Sequence, residues 1–211
     1  MTEKLITETV GTFFLVLTIG LTTLGGVPWA PVVIGSALMV MVYMGGHISG
    51  AHFNPAVSVA ILIRGKMAGR DLLPYLIAQL LGAILASLAV RVITGGTFAP
   101  APDANVGLIG VLLAESLFTF ALALVVLNVA TSDDTEGNSF YGLAIGFTVM
   151  VGAFSVGSVS GGVFNPAVGT GPILIDTFLG NGSLTNIWIY WVGPMLGGVA
   201  AAGVFDLQHG E

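Results

Sequence analysis

The sequence predicts an all-α membrane protein with six membrane-crossing helices and two half-length helices, built as an inverted repeat of three plus three. Three observations carry this. Hydrophobic residues are 55% of the 211 and charged residues 8%, giving a mean hydropathy of +0.98; no water-facing surface of mixed charge can be assembled from such a composition. No Asp, Glu, Lys or Arg occurs from Thr9 to Ile63 or from Gly137 to Ile175, and each run exceeds the roughly 20 residues that cross a bilayer once. Finally, Ser49 to Val57 (SGAHFNPAV) returns 111 positions later as Ser160 to Val168 (SGGVFNPAV), each copy after a long apolar run. Helix breaks at matching places in two halves mark half-helices that meet near mid-membrane.

Cutting the apolar runs at Gly, Pro and polar clusters predicts full spans near 5–24, 31–50, 71–93, 106–129, 139–158 and 184–205. Two short segments remain, about 54–63 and 165–174, and each opens with Asn-Pro. Asn caps a helix, and Pro at the first helical position loses no N–H that the helix needs. Ten residues rise about 15 Å, half of the roughly 30 Å hydrocarbon thickness, so the two pieces end to end make one pseudo-span.

The repeat runs through the whole chain, as one channel domain over 1–211 with halves of about 1–95 and 106–206. Glu8, Thr12 and Phe13 return as Glu115, Thr119 and Phe120, and Tyr75, Gln79, Gly82 and Ala86 return as Tyr190, Pro194, Gly197 and Ala201. Three helices per half is an odd number, so the second half is inserted upside down. Lys4, Arg64, Lys66 and Arg70 share one side and only Arg91 lies near the other, which places both termini in the cytoplasm by the positive-inside rule and the chain in a cell membrane. The first apolar run follows only a short leader and precedes further spans, so no cleaved signal is expected.

Several classes are disfavoured. Cysteine is absent, which removes disulfides and thiolate chemistry. The net charge of −6 gives nucleic acid no electrostatic footprint. His47 and His52 lack a clustered third ligand, so no metal is expected, and no cofactor. No nucleophile and base set suggests an enzyme, and no charged ion-coupling cluster near the breaks suggests a secondary transporter.

The candidate pore residues are Asn54 and Asn165. A half-helix N-terminus carries unpaired N–H groups and about half a positive charge, which repels cations, and side-chain amides there can donate to a water or hydroxyl oxygen. Carbonyls of 48–53 and 159–164 supply acceptors along an otherwise apolar path. Pro55 and Pro166 pre-set the first turns, and Ala56 and Ala167 permit close approach of the two ends. Glu8 and Glu115, carboxylates inside the membrane, are read as scaffolds that accept hydrogen bonds from the irregular backbone before each half-helix, not as a proton relay. His47 is read as packing the loop and His52 as facing the cytoplasmic vestibule, where it can confer pH sensitivity.

On these residues the chain resembles the aquaporin, or major intrinsic protein, family over essentially its full length. HISGAHFNPAV and SGGVFNPAV, the Glu8–Gly11–Thr12 start, Gln79 before Gly82, and Tyr190–Trp191–Val192–Gly193–Pro194 match the family in order. The resemblance implies a right-handed bundle with a pore in each protomer of a homotetramer, embedded in lipid and passing water or small neutral solutes. It also implies four positions for the outer constriction: Ile34, Ala153, Gly162 and Val168. Most members of the family have Arg where Val168 stands, water-selective types pair it with a His on the fifth helix, and glycerol-conducting types follow it with Asp where Gly169 stands. An Arg would add five fixed donors and a charge; Val168 adds neither. The expected constriction is wide and apolar, unless bulk such as Phe154 fills it. This favours a channel for water with glycerol, urea, ammonia or similar solutes. A water-selective channel with an unusual filter and a structural membrane-junction protein remain the alternatives.

Overall fold

Gly, Pro and polar clusters end the helices close to where the sequence puts them. The computed structural model describes residues 1–210, which contain eight α-helices and no strand. They are α1 (Thr2–Leu24), α2 (Ala30–Ser49), α3 (Pro55–Ile63), α4 (Gly69–Thr94), α5 (Leu108–Thr131), α6 (Tyr141–Ser160), α7 (Pro166–Leu179) and α8 (Ile189–His209). Apart from α3 and α7, all are long and apolar enough to cross a membrane. Their outward faces carry large apolar side chains such as Leu73, Val92 and Ile109, which suits hydrocarbon surroundings.

The two largest departures from the expected boundaries are at the end of α7 and the start of α8. The second half-helix does not stop near 174 but continues to Leu179, a length of 14 residues, or about 21 Å. Asp176, the first charge after the long uncharged run, lies inside the helix and is partnered: its Oδ1 accepts the Thr97 hydroxyl at 2.6 Å, and its carbonyl accepts the Gly180 and Gly182 N–H groups. The last span starts later than 184 because Leu184–Asn186 forms a short 3-10 turn capped by Ser183.

The long helices pair as α1 with α4 and α5 with α8, and α2 crosses α6 between these pairs. Small residues set the spacing. A side chain at Gly82 would overlap the Thr9 carbonyl of α1, and one at Gly197 would overlap the Ser116 carbonyl of α5. The same close approach, repeated in both halves, leaves no room for a methyl group.

Each half-helix is seated chiefly on the last long helix of the other half: α3 on α8, with the Ala56 carbonyl against Gly198, and α7 on α4, with Ala83 against Gly171. The two halves therefore interlock, and neither can position its half-helix alone. The dense core lies at this crossing, where Phe53, Ala56, Ala83, Phe164, Ala167, Tyr190 and Phe205 are all at most 1% exposed.

Gly197→Ala should destabilise the bundle by about 1–3 kcal/mol through overpacking. Gly203, on the same helix with nothing within 4 Å of the place a Cβ would occupy, provides the control, since Gly203→Ala should be neutral or stabilising. Thermal unfolding in detergent reads both.

Candidate functional site

Between α2 and α3, and again between α6 and α7, the backbone leaves helical geometry inside the protein, where unpaired polar groups are costly. The turns need left-handed conformations at Gly50, Ala51 and Phe53 in the first segment and at Gly161, Gly162 and Phe164 in the second. Three of these residues are not glycine, so their strain has to be held by contacts elsewhere.

The holding groups are the two buried carboxylates. Glu8 Oε1 accepts the Ser49 hydroxyl at 2.7 Å and the His52 N–H at 3.0 Å; its Oε2 accepts the Phe53 N–H at 2.7 Å and the Gln79 amide at 2.8 Å. Glu115 repeats the pattern, with Oε1 accepting the Ser160 hydroxyl at 2.6 Å and the Val163 N–H at 3.0 Å, and Oε2 the Phe164 N–H at 2.7 Å. Tyr75 and Tyr190 donate to the Ser49 and Ser160 carbonyls, each at 2.7 Å. Every partner of either carboxylate is a donor, so both act as acceptors within closed networks.

These segments bring the two half-helices together N-terminus to N-terminus. Asn54 Oδ1 accepts the Ala56 N–H, and Asn165 Oδ1 accepts those of Ala167 and Val168, so each Asn caps its own helix. Each amide nitrogen then donates across the junction, Asn54 to the Phe164 carbonyl and Asn165 to the Phe53 carbonyl, both at 2.8 Å. Pro55 and Pro166 occupy the first helical position, and Ala56 and Ala167 are fully buried beside them.

Two cavities adjoin at His52 and Ile145, each of which lines both. The first, about 340 Å³, is lined by Asn54 and Asn165 together with Ile34, Ala153, Gly162 and Val168. Among the described residues no Asp, Glu, Lys or Arg borders it. The second, about 600 Å³, opens on the face bearing Lys4 and Lys66 and is bordered also by His47, Asp133 and Glu136. Lys66 pairs with Asp133 at 3.3 Å across its rim.

Two expectations need correcting, and one residue was missed. His47 does not pack the loop: the loop is already filled by the Glu8 network, and His47 is exposed on the second cavity. Phe154 does not enter the first cavity, the one bordered by Ile34, Ala153, Gly162 and Val168. It points outward, 51% exposed, with its ring edge-on to Trp29, because Ala153 and not its neighbour takes the inward position on α6. The missed residue is Phe98, buried at 8% exposure and lining the first cavity from the α4–α5 connection. Its one sequence signal was an aromatic inside a Gly- and Pro-rich stretch.

His52 is buried, with Nδ1 3.0 Å from the Ser58 hydroxyl, which also accepts from Gln79. In the second half the corresponding positions are Val163, Gly169 and Pro194. The polar support is thus one-sided, and Gly169 is held against the Tyr190 ring, where a side chain would collide. No group of three His, Cys, Asp or Glu side chains suited to a metal occurs among the described residues.

A helical bundle that spans the membrane, with half-helices meeting head to head beside two adjoining cavities, has the architecture of a membrane channel. Comparison with known proteins specifies which. Residues 1–205 match the family model described as major intrinsic protein. The chain is similar to Aquaporin NIP1-1 of Zea mays, 40% identical over 97% of this chain and 74% of that protein. It is also similar to Aquaporin AqpM of Methanothermobacter thermautotrophicus, 36% identical over 100% of this chain and 99% of that one. The X-ray structure of the aquaglyceroporin from Plasmodium falciparum shares the fold, with a TM-score of 0.87 at 24% identity over 97% of this chain and 95% of that one. The chain belongs to the major intrinsic protein family, a family of membrane channels and not of enzymes.

Replacing Glu115 by Gln should turn one of its acceptor oxygens into a donor facing another donor. Leaving the Phe164 N–H unpaired costs about 1–3 kcal/mol. Glu115→Gln should therefore unfold at lower temperature in detergent, and Glu115→Ala, which strands all three donors, at a lower temperature still.

Proposed function

We propose that the chain is a passive channel for water and small neutral solutes such as glycerol, urea or ammonia, with one pore in each protomer of a homotetramer. The observation that carries this reading is the use each central Asn makes of its side chain. The oxygen caps the half-helix, one N–H crosses to the opposite carbonyl, and an amide has a second N–H. With both residues bordering the first cavity, two donors remain for the oxygen of a passing water or hydroxyl. The two half-helix ends add positive potential at the same point, so a neutral acceptor is favoured and a cation is not.

Selectivity follows from the four outer positions. Ile34, Ala153, Gly162 and Val168 offer little bulk and no charge, and a passage of this kind discriminates by width instead of by a fixed set of donors. Gly162 is doubly constrained, since its φ of 63° disfavours a side chain and a Cβ would lie 3.2 Å from the Gly157 backbone. Lys4, Arg64, Lys66 and Arg70 support a cytoplasmic position for both termini in a cell membrane. The outer faces of α2 and α6, the least buried of the six spans, are the natural surfaces for contact between protomers. The relatives bear names consistent with this reading: Aquaporin for the plant and archaeal proteins, aquaglyceroporin for the Plasmodium structure.

Stopped-flow light scattering on reconstituted vesicles tests the proposal. Wild type should shrink osmotically faster than empty liposomes; equal rates, with folded protein verified, would defeat it. Val168→Arg should narrow the passage and add charge, reducing urea and glycerol flux more than water flux. A wild type that passes water and rejects both solutes would show the wide-filter account to be wrong.

A further inference from the structure

The α4–α5 connection does not lie over the outside of the bundle but is tied into it at several points. Beyond the left-handed Gly95, the Thr97 hydroxyl donates to Asp176 Oδ1 near the end of α7 at 2.6 Å. Farther on, the Asp103 N–H donates to the Val159 carbonyl of α6 at 3.1 Å, and Pro100 lies against Gly161. Between these ties the Phe98 ring is drawn inward to 8% exposure, where it borders the first cavity.

What receives the ring is Gly20 of α1. A Cβ at that position would overlap the Phe98 ring and the Val90 side chain of α4. The bare glycine lets the ring recede toward the α1–α4 seam, so its depth there sets how far the ring stands into the cavity. Val90, fully buried, crowds the same spot from α4, so a side chain at position 20 has no free space to turn into. A rigid aromatic face with no hydrogen-bonding group, fixed on one side and bordering the passage on the other, can limit solute size without binding the solute.

We infer that Phe98, set in depth by Gly20, is a specificity-determining side chain of this channel, a fifth wall beside Ile34, Ala153, Gly162 and Val168 that fixes the largest neutral solute admitted. The inference rests on the channel reading above. It makes a prediction of opposite sign at two positions that touch each other. Phe98→Ala removes the wall and should raise the urea-to-water and glycerol-to-water permeability ratios several-fold. Gly20→Ala pushes the ring into the passage and should lower both ratios. In the double variant Gly20→Ala/Phe98→Ala the ring that the added methyl group would push is gone, so the ratios should return toward those of Phe98→Ala, a non-additivity that independent sites do not show.

The experiment is parallel water, urea and glycerol permeability of wild type and the three variants in vesicles of one lipid composition, normalised to incorporated protein. Should Phe98→Ala fail to fold, Phe98→Leu, which keeps an apolar side chain against Gly20 and shortens the wall, should move the ratios in the same direction. If wild type conducts and the ratios are unmoved by these substitutions, Phe98 is a packing residue and the inference is overturned. If wild-type vesicles behave as empty ones, the channel reading itself falls, and this inference with it.

Discussion

Inside a bilayer, backbone that leaves the helix must find its hydrogen-bond partners within the protein. Nearly everything specific to this chain depends on how Glu8 and Glu115 meet that demand. Each carboxylate gathers two successive backbone N–H groups and a serine hydroxyl. This fixes the left-handed turns at Phe53 and Phe164 and aims the next residue, Asn54 or Asn165, at the centre of the molecule. A carboxylate is suited to the task because it only accepts and has lone pairs for several donors; an amide in its place would face donor against donor. Ionisable groups at such depth commonly mark proton or ion pathways, but here every contact of the pair is with a donor of the scaffold.

The same device used twice brings two helix N-termini together, an arrangement that would be repulsive without compensation. The compensation is local. Each Asn amide donates to the carbonyl immediately before the other Asn, so the ends are bridged by cross-bonds of opposite direction. The interlocking of α3 with α8 and of α7 with α4 then converts a local junction into a property of the whole bundle. The halves are not chemically equivalent, however. His52, Ser58 and Gln79 form a polar support on the side of the second cavity, and Val163, Gly169 and Pro194 replace it on the other. Asymmetry of this kind gives the first cavity largely apolar walls, while the second, bordered by Lys4 and Lys66, is polar and charged.

Much of this was legible in the sequence, because bilayer thickness and backbone satisfaction leave few options to an apolar chain. The Asn-Pro starts of α3 and α7 and the repeat-related carboxylates were readable as local rules of capping and hydrogen bonding, whereas Gly82 and Gly197 showed only as repeat partners. What was not readable depended on long-range partners. The extension of α7 past 174 carries Asp176 into the fold, where its side chain is held by the Thr97 hydroxyl, 79 positions away in sequence. His47 and His52 are near neighbours in sequence, yet the turn between them exposes one and buries the other. Phe154 and Ala153 differ only in which side of α6 they occupy, and a helix apolar on all sides gives no periodicity from which to choose. Phe98 escaped for a related reason: a loop aromatic reveals its burial only through Gly20 and Val90, which belong to other elements.

The proposed channel reading requires the paired half-helix ends and their Asn donors to exclude cations, protons included, with no positive side chain at Ile34, Ala153, Gly162 and Val168. The most direct measurement is proton flux into vesicles containing the wild-type protein, reported by an enclosed pH-sensitive dye under a potassium diffusion potential, with water permeability measured on the same preparation. Rapid water movement is expected, with no proton flux above that of empty vesicles. A proton current that scales with incorporated protein would contradict it, and would mean that the field at Asn54 and Asn165 is not sufficient to interrupt a hydrogen-bonded file of water.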